Sequence, residues 1–227
     1  MATKSLEDLY SKKNNSDYYS APRLEMLQFI PSHCKKILDV GCGDGSFLSA
    51  VKSTKDIEAW GVDISKNSIE IAEKRIDKAL HADLTQDIQI LPDDYFDAIF
   101  FNDVLEHIIN PKELLINIKK KLNRNGIVVA SIPNIRHYRI LIMLLKNKDF
   151  KYEKIGVMDE THLRFFTKKS MIRLFDTAGY QVTNTVPLQK TKSFKPILLN
   201  LFSLGFAGND ISYLQYAITA KKHALTK

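Results

Sequence analysis

Cysteine is scarce in this chain, with Cys34 and Cys42 the only two among 227 residues. Two thiols build no disulfide framework, so the expected setting is a reducing cytoplasm. Long apolar runs are lacking as well. The longest, Ile140 to Leu145, has six residues, against the roughly 20 that a membrane-spanning helix needs. No basic-then-apolar leader opens the chain, which agrees with a cytoplasmic expectation. Acidic charge is sparse in the second half only. Residues 111–227 carry 21 Lys/Arg against 7 Asp/Glu, a net of +14, whereas residues 1–110 carry 12 against 19, a net of −7. A basic half suits an anionic partner such as a phosphorylated substrate, a nucleic acid or an acidic membrane surface. It equally suits a plain lysine-rich soluble face. The length fits one α/β domain with a small elaboration.

Glycine is also used sparingly, yet three of the nine fall at alternate positions, Gly41, Gly43 and Gly45. Ile37, Leu38 and Val40 lead into them as a short buried strand, and helical spacing follows from Ser46. This is a strand passing through a tight turn into a helix. Glycines there let a ligand approach the backbone, and the helix start offers N–H groups to it. A dinucleotide fingerprint places its third glycine five residues after the first. Ser46 holds that position here and the glycine comes one residue earlier. Asp39 and Asp44 flank the turn, which favours a ligand carrying a cation or many donors over a pyrophosphate.

The rest of the chain alternates in the same manner. Residues 1–17 are polar and turn-rich, and a helix follows from Leu24 to Ile30. Ala59 to Ile64 reads as the second strand and ends in Asp63, an acid 20 residues after Gly43, where a doubly wound fold grips ribose hydroxyls. Ser65 caps the next helix, and a third strand near Leu80 leads to Asp83 and Leu84. Phe96 to Phe101 is an apolar run buried on both faces, opening onto Asn102-Asp103-Val104-Leu105-Glu106-His107. A helix from Pro111 to Leu122, a turn at Asn123–Gly126 and a strand from Ile127 complete the regular part. Residues 135–166 break the pattern. Order returns with a helix from Lys168 to Ala178 stopped by Gly179, a strand near Tyr180–Val186, an apolar stretch at 193–206 and a closing strand from Tyr213 to Ala220. A connection as long as 135–166 inside a compact domain is usually functional, and it is read as a cap.

The string Leu38-Asp39-Val40-Gly41-Cys42-Gly43-Asp44-Gly45 resembles the first motif of the Rossmann-like S-adenosylmethionine (SAM)-dependent methyltransferases, LDxGCGxG. The resemblance implies an α/β fold, a doubly wound and mostly parallel seven-stranded sheet with helices on both faces. A small helical cap would be inserted after the fifth strand. It implies an N-terminal lid over residues 1–30 and a single methyltransferase domain over 31–227, with the cap at about 135–166. It further implies SAM as cofactor, leaving as S-adenosylhomocysteine (SAH), held by Asp39, Gly41, Cys42, Gly43, Asp63, Ile64, Asp83, Leu84 and Asn102. Asp39 would sit near the ammonium group, Asp63 would accept from the ribose and Asp83 would face the adenine. Tyr18 and Arg23 join from the lid. Asp83 as a surface turn residue, and Tyr18, Tyr19 and Arg23 as packing residues, are the competing readings.

The acceptor side is less defined. A hydroxyl acceptor benefits from a general base, for which histidine is suited near neutral pH. His33, His81 and His223 lie in poor positions and His137 has nothing specifying it. His162, within the dense run Thr161-His162-Leu163-Arg164-Phe165-Phe166-Thr167, is the preferred candidate, and His107 is the second. Glu106-His107 as a helix-start packing pair is the competing reading for the latter. Asp103, Glu106 and His107 share a helical face. They resemble a Glu-x-x-Glu-His pattern that binds a divalent cation in RNA 2′-O-methyltransferases and quinone-pathway O-methyltransferases, with His162 available to complete it. No metal is favoured, and these four are the candidates if one is used.

Ser131–His137 and Asp159–Thr167, with Ala178-Gly179-Tyr180 behind, look like a bacterial methyltransferase subgroup associated with surface polysaccharide and O-antigen assembly. That implies O-methylation of a nucleotide- or lipid-linked sugar, with an acceptor that can carry phosphate. RNA or a quinone-type small molecule is the alternative acceptor, although no RNA-binding module appears. A SAM-binding regulatory domain without catalysis is the alternative of another class. The apolar residues of 193–206 are read as an acceptor wall, a dimer contact or a peripheral membrane patch, in a monomer or homodimer.

Overall fold

Neighbouring residues of the first strand, β1 (Lys36–Val40), face opposite sides, and this alternation splits the core in two. Ile37 packs in one cluster with Ala59, Ala98, Phe100 and Val129. Leu38 and Val40 pack in the other with Trp60, Val62, Ile99, Phe101 and Val128. The computed structural model describes residues 22–223, so Tyr18 and Tyr19 of the expected lid lie outside the described residues.

In chain order the main elements after β1 are α1 (Ser46–Lys52), β2 (Glu58–Asp63), α2 (Lys66–Ala72), β3 (Lys78–His81) and β4 (Phe96–Asn102). There follow α3 (Pro111–Ile118), β5 (Leu122–Pro133), α4 (Tyr138–Ile142), α5 (Lys168–Thr177), β6 (Tyr180–Lys190), α6 (Lys195–Phe202) and β7 (Tyr213–Lys222). The seven strands form one sheet in the order β3-β2-β1-β4-β5-β7-β6. The first five run parallel, and β7 pairs antiparallel with both β5 and β6. Phe47, Leu48 and Val51 of α1 and Ile69 and Ala72 of α2 cover one face. Leu114, Leu115 and Ile118 of α3 and Met171 and Phe175 of α5 cover the other. The doubly wound sheet with helices on both faces is therefore as expected, with the antiparallel strand inserted next to the last position.

Local chemistry explains most boundaries. Ser65 accepts from the Ser68 N–H at the start of α2. Thr167 and Ser170 form a reciprocal capping box at the start of α5, and Gly179 at φ 81° follows its end. Two expected elements are shorter. The segment before β1 is a 3-10 turn over Leu24–Phe29, and α3 stops at Ile118 before a 3-10 turn at Lys119–Lys121. The expected turn at Asn123–Gly126 lies inside β5. Leu122 pairs with Phe96 and Ile127 with Ala98, so the residues between loop out of the ladder. The cap region 135–166 holds α4, a π-helical turn at Met143–Asn147 and two isolated bridges.

The loop-out leaves Gly126 against the backbone of β4, where a Cβ would lie 2.7 Å from the Phe96 carbonyl oxygen. Gly126→Ala is expected to cost about 1–3 kcal/mol, the usual penalty for overpacking. The urea midpoint should fall while the slope of the transition stays unchanged.

Candidate functional site

The carboxyl ends of the parallel strands open onto a cleft of about 1040 Å³. Its floor is the glycine loop after β1. Gly41 and Cys42 both donate backbone N–H bonds to the Val62 carbonyl, at 2.8 and 3.1 Å, which docks the loop on the end of β2. Gly41 has φ 71°, and a Cβ there would stand 2.6 Å from Val104 Cγ2. Neither its backbone angle nor the space beside it tolerates a side chain.

Asp63 fixes the loop from the other side. Its two carboxylate oxygens accept from the Gly43 and Ser65 N–H groups, each at 2.8 Å. Burial pushes its pKa up, and these backbone donors oppose the shift. Each oxygen keeps acceptor capacity, so the geometry suits a pair of ribose hydroxyls. Ile64, Asp83 and Leu84 also line the cleft. Asp83 closes an Asx turn by accepting from the Thr85 N–H at 2.9 Å and the Thr85 hydroxyl at 2.7 Å, so its turn role is fully built. The Cys42 thiol is buried and its pKa rises far above the ordinary value, chiefly through desolvation. It acts as a small packing group beneath Gly61, where a Cβ would meet its sulfur at 2.6 Å.

Asp39 is 2 % exposed and lines the same cleft. Desolvation raises its pKa to about 8, opposed by a hydrogen bond from Asn102 Nδ2 at 3.2 Å. The other Asn102 side-chain atom, Oδ1, is buried with no partner among the described residues. Two acceptor groups thus converge where the local electrostatics call for a cation or a donor.

Arg23 enters above them. It pairs with Asp103, donates to Ser131 Oγ at 3.1 Å and to Gln215 Oε1 at 3.0 Å, and lines the cleft. Asp103 has φ 56° and also accepts from Ser131 Oγ and Gln215 Nε2. This corrects the metal set proposed from sequence, because Asp103 turns to Arg23 and leaves the helical face that it was expected to share. Ser131, Gln189, Leu214 and Gln215 were not foreseen as part of this region. Gln215 comes from antiparallel β7, and no local signal marked it.

The remaining candidates do meet. Glu106, His107 and His162 each bring a ligand-capable atom within 4.8 Å of the others, although Glu106 and His162 lie 56 positions apart in the chain. The imidazole rings stand 4.7 Å apart edge to face. His107 Nδ1 faces the Thr161 carbonyl at 3.1 Å and His162 Nδ1 faces the Val157 carbonyl at 2.9 Å. A neutral ring so placed carries its proton on Nδ1 and its lone pair on Nε2. Glu106 is 1 % exposed with both carboxylate oxygens lacking a partner among the described residues, and desolvation raises its pKa to about 8. His137 is buried as the cap residue of α4 and is held neutral, with its pKa lowered to about 4 mainly by burial. Arg164 donates twice to the Ile109 carbonyl, at 3.1 and 2.6 Å.

Residues 12–185 match the model of a methyltransferase domain. The chain belongs to that methyltransferase family. It is 26% identical over 193 residues to the ubiquinone biosynthesis O-methyltransferase of Aeromonas salmonicida, covering 79% of this chain and 74% of the relative. The corresponding enzyme of Pasteurella multocida is 31% identical over 170 residues, covering 64% and 69%. Among solved structures, a SAM-dependent methyltransferase from Archaeoglobus fulgidus superposes with a TM-score of 0.68 at 22% identity, covering 94% and 98%. One from Thermotoga maritima, titled a possible histamine N-methyltransferase, reaches 0.62 at 19%, covering 95% of each chain. The fold is that of the SAM-dependent methyltransferases.

The methyltransferase cleft fits SAM on its own chemistry. SAM carries an ammonium and a sulfonium, which would suit the buried Asp39 and the orphaned Asn102 oxygen, and a ribose diol, which would suit Asp63.

Two measurements check this assignment. Asp63→Ala should weaken SAM binding by about 1.5–3 kcal/mol in calorimetry, the range for hydrogen bonds involving a charged group. Asp39 gives a pH dependence. Its native pKa is raised, so between the ordinary 3.8 and about 8 the folded state holds a proton that the unfolded chain has released. Stability therefore falls as pH rises through that window. Ligand-free Asp39→Asn should gain on the wild type from about pH 4 to about pH 8 and then level off, with a melting temperature about 2–4 °C higher per kcal/mol relieved. The same variant should bind SAM more weakly.

Proposed function

We propose that this methyltransferase moves the methyl group of SAM to a hydroxyl on a small aromatic, quinone-type acceptor. The observation that carries the reading is the Glu106–His107–His162 group. Three lone-pair-bearing groups converge at the cleft, and Glu106 receives no hydrogen bond from the described residues. An acceptor hydroxyl can donate to an orphaned Glu106 oxygen and so offset its desolvation. The cleft that holds the group is otherwise lined on this side by apolar Ile108, Ile155, Val157 and Leu214. An apolar lining favours a flat, largely apolar ring over a sugar. The relatives named for ubiquinone biosynthesis support the same alternative. No relative among them supports the surface-polysaccharide subgroup or its glycan acceptor, and the scattered lysines give RNA no further support.

SAM supplies an electrophilic methyl carbon when bound. The chain's contribution is placement and proton handling. The glycine loop, Asp63 and Asp39 hold the donor. One imidazole Nε2 takes the hydroxyl proton as the oxygen becomes nucleophilic, with His162 preferred because the cap carries it. Residues 135–166 form the cap on the acceptor side, and Arg23 reaches the cleft from the chain before β1. Arg164, held on the Ile109 carbonyl, is then a strut of the cap.

A second reading rests on the same three residues. One carboxylate and two imidazoles form an oxygen-and-nitrogen set that fits a divalent cation, which would neutralise the desolvated Glu106. There the ion would orient the hydroxyl and favour its anion.

The test measures SAH release from a panel of dihydroxybenzoates against nucleotide sugars. His162→Ala should lower kcat by about 10²–10⁴-fold, the span of general acid–base catalysis, while SAM affinity is retained. Wild-type turnover in that variant would reject the role of His162. Turnover that persists in excess chelator supports the metal-free reading. Loss in chelator, restored by magnesium or manganese, establishes the second.

A further inference from the structure

Helix α6 is apolar on its outer face as well as on its inner one, where Pro196 is buried and Leu199 half-buried. In a globular protein a surface helix turns its apolar stripe inward. Here Ile197, Leu198, Leu201 and Phe202 are exposed, whereas the polar Asn200 is half-buried and accepts the Gly208 N–H at 2.9 Å. The apolar surface continues past the helix, with Phe202, Leu204 and Phe206 81, 87 and 88 % exposed. Helix α4 contacts α6, and the π-helical turn that continues α4 adds exposed Leu144 and Leu145. Exposed apolar side chains so concentrated mark an interaction surface.

Charge decides what covers it. From Lys190 to Gly208 the chain carries Lys190, Lys192 and Lys195 and no acid. From Arg139 to Lys148 it carries Arg139, Lys146 and Lys148 and again no acid. All six are exposed. A two-fold contact between copies would set this surface against itself and bring like charges together. A surface of anionic lipid headgroups accepts both features, lysines at the phosphates and apolar side chains at the acyl boundary. No helix of the described residues is long and apolar enough to cross a membrane, so the contact is peripheral.

We propose that α6, residues 203–206 and the adjoining π-helical turn form a docking face for anionic lipid bilayers. Helix α6 begins six residues after Gln189, which lines the cleft.

The experiment uses the full chain and sedimentation with vesicles of phosphatidylcholine alone or with about 30% phosphatidylglycerol. Wild type should partition to the anionic vesicles at least about tenfold better than to the neutral ones, and about 0.5 M salt should release much of it. The double variant Phe202→Glu, Leu204→Glu changes exposed side chains only. It should lose about tenfold or more of this binding while keeping wild-type SAM affinity. Absence of binding to either vesicle, or equal binding by the variant, overturns the proposal. A concentration-dependent dimer in light scattering that the same substitutions dissolve also overturns it and assigns the face to a second copy.

Discussion

Two hydrogen bonds to one buried carboxylate hold the cofactor side together. Asp63, at the last position of β2, takes the N–H of Gly43 in one hand and that of Ser65 in the other. The loop's other anchors are the Gly41 and Cys42 N–H bonds to the Val62 carbonyl and the packing of Cys42 beneath Gly61. The arrangement also answers the cost of placing a carboxylate in a desolvated strand end, because charge-assisted bonds from backbone donors are among the strongest compensations available. Loop, β2 and the start of α2 therefore behave as one unit. The crowding of Gly41 by Val104 carries that rigidity across to the end of β4.

The cleft as a whole gathers more acceptors than it satisfies. Asp39, the Asn102 oxygen and Glu106 are all buried there, and burial pushes both carboxyl groups to about 8. Arg23 relieves part of this through Asp103, at the edge of the region. A protein shaped only for stability would replace these groups with apolar ones. Retaining them is the usual mark of a binding surface whose missing partners arrive with the ligand. Cationic and donor-rich ligands gain most from such a cleft.

The surface of α6 follows the opposite logic. There the unsatisfied groups are apolar and the satisfied one is Asn200, so water is the unsuitable partner. The cleft and this face thus lie at two ends of one rule: each exposes what its intended partner can stabilise.

The first two-thirds of the fold was legible because its signals are local. Alternation of apolar residues along Ile37–Val40, the capping serine at 65 and the acid ending β2 each act within a few residues, so spacing alone placed β1, α1, β2 and α2. The antiparallel insertion of β7 between β5 and β6 was hidden, since a strand's apolar pattern does not record its direction or neighbour. The same holds for the site. Asp39, Gly41, Gly43 and Asp63 stand on consecutive parallel strand ends that any doubly wound sheet brings together. His107 and His162 meet only because the cap folds back, with the Leu163 and Arg164 N–H groups both donating to the Glu106 carbonyl. Asp103 left its expected face because Arg23, 80 residues away in sequence, offered a cation. By itself the sequence determined the sheet's parallel half and the residues at its carboxyl edge, where contacts follow from periodicity. Only the tertiary structure decided the Glu106–His107–His162 side of the cleft, where loop closure and long-range ion pairing choose which polar groups face one another.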